Sequence, residues 1–177
     1  MNIESPLTAG IIKSLKAGEL VYLSGAIYTA RDKAHKKIFD LIDKGRELPF
    51  NLKDSIIYYC GPAPKKRGEA IGSCGPTTSS RMDKHTPLLY ELGLGATIGK
   101  GERGEDVVDA VKKYKGVYFL AWGGCGAYLS SFVKSSKIIA FKELGAEAIR
   151  RLEVERFPLV VAVDSYGNKI WDKRGKK

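Results

Sequence analysis

The chain has 177 residues, 44% hydrophobic and 28% charged, enough to bury a full core and too apolar for a disordered segment. Its formal net charge of +10 favours an acidic partner, whether nucleic acid, a membrane surface or a small dianion. Aromatic residues do not interleave with the basic runs, which denies a nucleic-acid binder its stacking platform, and no apolar run is long enough to span a bilayer.

Residues 1–177 read as one domain, with a solvated basic tail at 172–177 (DKRGKK) that carries part of the charge. The start, MNIESPL, lacks the basic and apolar regions of a secretory signal, so the expected location is cytoplasmic. Three cysteines make no disulfide framework in that compartment.

A short helix is predicted near Thr8 to Leu15, ending before Ala17-Gly18, and a strand over Leu20 to Ile27. Ala34, Ile38, Leu41 and Ile42 then form one apolar stripe at helical spacing, with Thr29 as the expected cap, Asp32 in the first turn and Gly45 at the end. Arg31 therefore opens a helix that follows a strand, a common place for ligand contacts in α/β folds. His35 falls beside the stripe and reads as a rim or surface residue. Ser55 to Cys60 reads as a buried strand closed by Gly61-Pro62-Ala63-Pro64, with Lys65 to Gly68 an exposed loop.

Gly72 to Asp83, GSCGPTTSSRMD, has too few apolar residues for a buried strand and no helical period before Arg81. Its glycines and proline punctuate a tight loop, and its hydroxyls sit where a helix could begin. Arg81 supplies a planar fork suited to a carboxylate or phosphate. A helical turn is expected at Arg81 to His85, with His85 positioning backbone. A second short helix follows, capped by Thr86, with Pro87 first and Gly93 beyond its end. Ala96 to Ile98 is a short strand leading into Gly99-Lys100-Gly101. Val107, Val108, Val111 and Tyr114 mark a helix, Val117 to Trp122 a strand, and Gly123 to Gly126 a second glycine-rich turn. Strands at Lys137 to Phe141 and Leu159 to Val163 and a turn at Asp164 to Asn168 lead to a final short strand. Alternating strands and helices predict an α/β layered domain.

Five stretches in order, SGAIYTARDKAHKKI (Ser24 to Ile38), IYYCGPAP (Ile57 to Pro64), GPTTSSRMD (Gly75 to Asp83), IGKG (Ile98 to Gly101) and EAIRRLEVERFPLVVAVDSYGN (Glu147 to Asn168), carry a resemblance over nearly the whole chain. It resembles the β subunit, or C-terminal domain, of class I iron–sulfur fumarate hydratases, and the sister L-tartrate dehydratase β subunit shares the motifs. The resemblance implies a swivelling β/β/α fold with a mixed sheet and flanking helices, and a hydro-lyase active only with its α subunit. In the assembled enzyme, itself expected to homodimerise, that partner's cysteines would hold a 4Fe-4S cluster. The substrates implied are fumarate and malate, with neither nucleic acid nor membrane as partner. It further implies that Arg31, Arg81 and Lys100 bind the substrate carboxylates with Thr77 and Thr78 close by, and that Thr77 moves the proton. A threonine hydroxyl ionises far above neutral pH, and three neighbouring cations give a field of the sign needed to lower it.

Two other readings stand beside this one. Cys60, Cys74 and Cys125 are three thiols beside glycine-rich turns, the number a four-iron cluster with one open iron would need, but their wide spacings match no compact cluster-binding run. The expectation is that none of them binds metal. A basic anion- or nucleic-acid-binding module without catalytic duty would also suit the charge.

Overall fold

A computed structural model describes residues 1–175, with side chains described through Asp172. Seven strands, β1 (Asn2–Glu4), β2 (Leu20–Thr29), β3 (Ile56–Tyr58), β4 (Ala96–Gly99), β5 (Val117–Leu120), β6 (Val133–Ala140) and β7 (Ile149–Val163), form one mixed sheet in the order β1-β2-β3-β4-β5-β7-β6. Strands β1 to β5 run parallel, and β7 runs antiparallel to β2, β5 and β6. One edge of β7 pairs with β2, from Leu20↔Val160 to Tyr28↔Arg151, which closes β2, β3, β4, β5 and β7 into a five-stranded ring. Its other edge meets β6 in the first half and β5 in the second.

Side-chain alternation divides the apolar residues between two cores. Ile56, Tyr58 and Cys60 join Ala96, Ile98, Val117 and Phe119 in an inner core, while Ile57, Tyr59 and Tyr118 join an outer one. Among the described residues five α-helices flank the sheet: α1 (Ala9–Ser14), α2 (Asp32–Asp43), α3 (Thr86–Glu91), α4 (Glu105–Tyr114) and α5 (Gly126–Ser130). The outer core packs beneath α2, α3 and α4 through Ala34, Ile38, Leu89, Val107 and Val111. In β7 the inward set changes parity, from Leu152 and Val154 to Phe157, Leu159 and Val161. The extra residue is absorbed at Arg156, which sits at φ 53°.

The α/β class, the mixed sheet and the flanking helices are as expected, and several local expectations change. Thr29 belongs to β2 and caps nothing: its hydroxyl donates to the Ala148 carbonyl (3.3 Å) and accepts the Arg150 N–H (3.0 Å), tying β2 to the start of β7. Thr86 does not cap α3 either, because its hydroxyl donates inward to the Met82 carbonyl at 2.9 Å. Strand β7 begins ten residues before the expected Leu159, and β1 and α5 join the expected elements. The expected last strand is a single bridge, Val163↔Lys169, followed by a 3-10 helix at Ile170–Gly175. That helix takes in the start of the expected basic tail, and residues 176–177 lie outside the described residues. The turn before it is held by buried Asp164, whose carboxylate accepts the N–H groups of Tyr166 and Asn168 (3.0 Å each) and of Ala17 (3.2 Å). Among the described residues no helix is long and apolar enough to cross a membrane.

Candidate functional site

The C-terminal ends of parallel strands β2, β3 and β4 lie side by side, the position where open crevices form in α/β sheets. Each delivers one part of a basic, glycine-lined site. The chain leaves β2 through Ala30 and turns at Arg31 into α2, whose first residue is Asp32. Arg31 lies over the chain leaving β3: a methyl at Gly61 would come 2.7 Å from its Nη1. A larger residue there would push the Arg31 side chain aside. Arg31 Nε is buried without a hydrogen-bond partner, a donor in want of an acceptor.

Gly72 to Asp83 doubles back along β3. Cys60 bridges Pro76, and the Thr77 N–H donates to the Tyr59 carbonyl at 2.6 Å. The loop then zips onto the end of β4. Lys100 donates its N–H to the Thr77 carbonyl (3.3 Å) and accepts the Ser79 N–H (2.9 Å), so Thr77, Thr78 and Lys100 form one short parallel ladder. A 3-10 turn at Ser79–Met82 follows and carries Arg81 outward. Gly99 makes the approach possible, because a methyl there would fall 1.9 Å from Ser79 Oγ.

Arg81 reaches back to α2, donating Nε–H to Asp32 Oδ1 at 3.0 Å and placing Nη2 in ion-pair contact with Oδ2 at 2.9 Å. Arg31 Nε stands 3.9 Å from the same carboxylate. The fold thus brings Arg31 and Arg81 together on Asp32, and Thr77, Thr78 and Lys100 together on the ladder, with Arg81 three residues past Thr78. A cleft of about 280 Å³ opens beside them, lined by Asp32, Lys33, Lys36, Arg81, Lys84 and His85. Lys100 also borders a more apolar cavity of about 320 Å³ with Leu120, Trp122 and Val160. Lys33, Lys36, Arg81 and Lys84 outnumber the one carboxylate of the first cleft, Asp32, so the surface attracts anions.

Beneath the loop lies a charged network that sequence reasoning missed. Arg103, almost wholly buried, donates to Asp83 Oδ1 (2.7 Å) and Thr86 Oγ1 (2.7 Å), and lies 4.9 Å from the centre of the Tyr118 ring. The other Asp83 oxygen accepts the Gly104 N–H at 2.8 Å, so Asp83 joins the end of GPTTSSRMD to the segment after Lys100. From below, the Tyr118 hydroxyl donates to the Gly101 carbonyl (2.8 Å) and lies within hydrogen-bond distance of Ser79 Oγ (2.9 Å). Burial pushes that phenol above its ordinary range, which keeps it a donor. In the sequence Gly101-Glu102-Arg103-Gly104 looks like a surface charge run. A signal was available in Tyr118, a hydroxyl-bearing ring in an otherwise apolar strand, which needs a polar partner.

The histidines also differ from expectation. His35 is fully buried, not on a rim, because it faces the Ser79–His85 segment and not solvent. Its Nδ1 bonds the Arg31 carbonyl at 2.9 Å, its Nε2 has no hydrogen-bond partner, and its ring lies 5.5 Å from that of Tyr59. Burial drives its pKa down to about 4, so it is neutral at physiological pH. His85 packs its ring on Phe39 (4.4 Å) and His35 (5.9 Å), with its pKa lowered by burial and by Lys84.

The cysteines are not arranged as a cluster site. Cys60 and Cys74 are buried in the inner core, and Cys125 is exposed on the second glycine-rich turn. The Cys74 N–H donates to the Gly126 carbonyl at 3.1 Å and its carbonyl accepts the Tyr58 hydroxyl. A hydrogen bond with the Cys74 thiol, then burial, holds the Cys60 thiol protonated well above its ordinary range, the opposite of what a metal-binding thiolate needs. Among the described residues no three His, Cys, Asp or Glu side chains stand together as a metal site.

Fold and site together define an α/β domain that presents a basic, hydroxyl-bearing loop at the ends of parallel strands. The chain belongs to the fumarase C-terminus family, whose description matches residues 1–174. It is 44% identical over 177 residues to a Methanocaldococcus jannaschii protein with the provisional name L(+)-tartrate dehydratase subunit beta, covering 97% of this chain and 91% of that one. It is also 44% identical over 158 residues to fumarate hydratase 2 of Leishmania major, and 44% over 154 residues to the anaerobic class I fumarate hydratase of Escherichia coli. Those matches cover 88% and 85% of this chain but span only 28% of each of the two hydratases.

Proposed function

We propose that residues 1–177 form a single β-subunit domain of a two-chain, cytoplasmic hydro-lyase of the class I fumarate hydratase type, interconverting fumarate and malate. Arg31, Arg81 and Lys100 clamp the substrate carboxylates with Thr78 close by, and Thr77 moves the proton. The observation that carries this reading is the convergence of GPTTSSRMD with Lys100 and Arg31 at three strand ends, with the buried Arg31 Nε lacking an acceptor. A substrate carboxylate is an acceptor of the right charge, and one ion pair at about 4 Å contributes on the order of 4 kcal/mol of Coulomb energy at an effective dielectric of ~20. Asp32 holds Arg81 in place meanwhile. The 4Fe-4S cluster belongs in this reading to an α subunit, since the thiols here are core residues or stand alone. The assembled enzyme would pair with a second copy of itself.

The near end-to-end match to the M. jannaschii protein favours a second reading, an L-tartrate dehydratase β subunit. One experiment separates the two. The chain is co-expressed with a cysteine-bearing α subunit and reconstituted anaerobically, then assayed for fumarate hydration and L-tartrate dehydration. Hydration that disappears when either chain is left out is the expected result. Activity on tartrate alone moves the assignment to the second reading, and full activity of this chain by itself overturns both.

A further inference from the structure

A second group of unanswered donors lies away from the loop Gly72 to Asp83, under the Pro62–Gly72 segment. Strands β6 and β7 pair there with Ser136 opposite Leu152 and Ile138 opposite Arg150. Ser136 and Arg150 therefore share the face that carries Leu152 and Val154 into the inner core. Where an apolar residue would continue that core, the strand ends in a guanidinium. Among the described residues, Arg150 Nε and Ser136 Oγ are both buried and both without a hydrogen-bond partner. Buried polar atoms are nearly always satisfied, so two orphans in one cavity point to a missing acceptor.

The cavity measures about 300 Å³, and its other walls are Pro62, Ala63, Pro64, Ile71, Gly145 and Ala146, with Lys65 at the edge and no carboxylate among its lining residues. Its wall is fixed, because Gly72 passes so close beneath the carbonyls of Ala63 and Pro64 that a methyl there would come within 2.6 Å of both. Two cations, one hydroxyl and a tight apolar wall suit a small oxyanion. We propose that this cavity is a second anion site, binding a small carboxylate or phosphate on Arg150, Ser136 and Lys65. It is separate from the Arg81–Lys100 site: none of its lining residues is a member of the proposed substrate clamp. It is also independent of the reaction proposed above.

The test is a titration of the 177-residue chain with inorganic phosphate and, separately, malonate, followed by amide NMR. Saturable shifts are expected at Gly72, Ala146 and Arg150, and the tighter anion names the ligand class. Arg150→Gln should weaken that binding at least tenfold and Ser136→Ala by a smaller factor, while Arg81→Gln leaves it unchanged. Shifts confined to residues 77–100, or an Arg150→Gln chain that binds like wild type, would overturn the proposal. Should Arg150→Gln fail to fold, unchanged binding in both Ser136→Ala and Lys65→Gln would do so equally. The expected shifts and the weakening variants lie outside Thr77 and Lys100, so the proposal holds or fails apart from the hydratase reading.

Discussion

Thr77 and Thr78 differ by one position and, in the proposed mechanism, by their whole role. Thr77→Val keeps the shape and deletes the hydroxyl, so in the assembled enzyme kcat should collapse while dicarboxylate binding survives. Thr78→Val should act mostly on KM, by about 1 kcal/mol. A Thr77→Val enzyme that keeps a tenth of its kcat, roughly 1.4 kcal/mol of barrier, would remove Thr77 from the chemistry. His35 gives a test that needs no partner. Its folded pKa of about 4 lies below the ordinary 6.5, so the unfolded chain binds the proton first as pH falls. Stability is therefore full above pH 6.5 and drains between 6.5 and about 4, by roughly 2 kcal/mol at pH 5. Denaturant midpoints at pH 7.5 and 5 should show that loss in the wild type and a flatter dependence in His35→Gln. The residues of the candidate site were legible because they lie in short contiguous motifs. Their supports were not, since the pairing of Arg81 with Asp32, or of Arg103 with Asp83, joins segments that periodicity cannot relate.

At the scale of elements, helices were easier to read than strands. Helix α2 shows its apolar stripe and its stop at Gly45, where the N–H groups of Gly45 and Arg46 return to the carbonyls of Ile42 and Leu41. Strand β7 was half hidden because Arg150, Arg151, Glu153, Glu155 and Arg156 break its apolar run, although three neighbouring strands pair along its edges. Caps were misjudged because each hydroxyl is engaged elsewhere: Thr29 bonds the distant Ala148 carbonyl, and Thr86 bonds back to the Met82 carbonyl while accepting from Arg103. The glycine at the end of β4 is the most sensitive single position linking an element to the site. Gly99→Ala should displace Ser79 and with it the Thr77–Lys100 ladder, costing about 1–3 kcal/mol of stability and most of the activity. Adding Ser79→Ala should recover only part, because the Tyr59 ring also lies 2.9 Å from the new methyl. Thermal melts of both variants decide this, and an unperturbed Gly99→Ala protein would show that the loop is not seated as described.

For the whole molecule, the ring depends on one extra residue. Deleting Arg156 would shift Phe157, Leu159 and Val161 from the inner core to the opposite face, and the expected outcome is a chain without a cooperative unfolding transition. Arg156→Gly, which suits the positive φ, should fold normally by the same measurement. Ring closure could not be read from the sequence, since nothing local announces that the last strand pairs with the second. That pairing also sets a timetable. Tyr28 meets Arg151, so at ~5–20 residues per second of synthesis the free edge of β2 waits roughly 6–25 s for its partner to leave the ribosome. Until then β2 and β5 offer unpaired backbone to any neighbouring strand. Refolding of the full chain should be slow, on the millisecond-to-second scale of non-local β pairing, and a chain ending at Ala148 should aggregate. A soluble Ala148-terminated fragment with a sharp melt would show that the open sheet stands without its closing strand. Nascent chains stalled late in translation are thus the vulnerable population, far more than the finished fold.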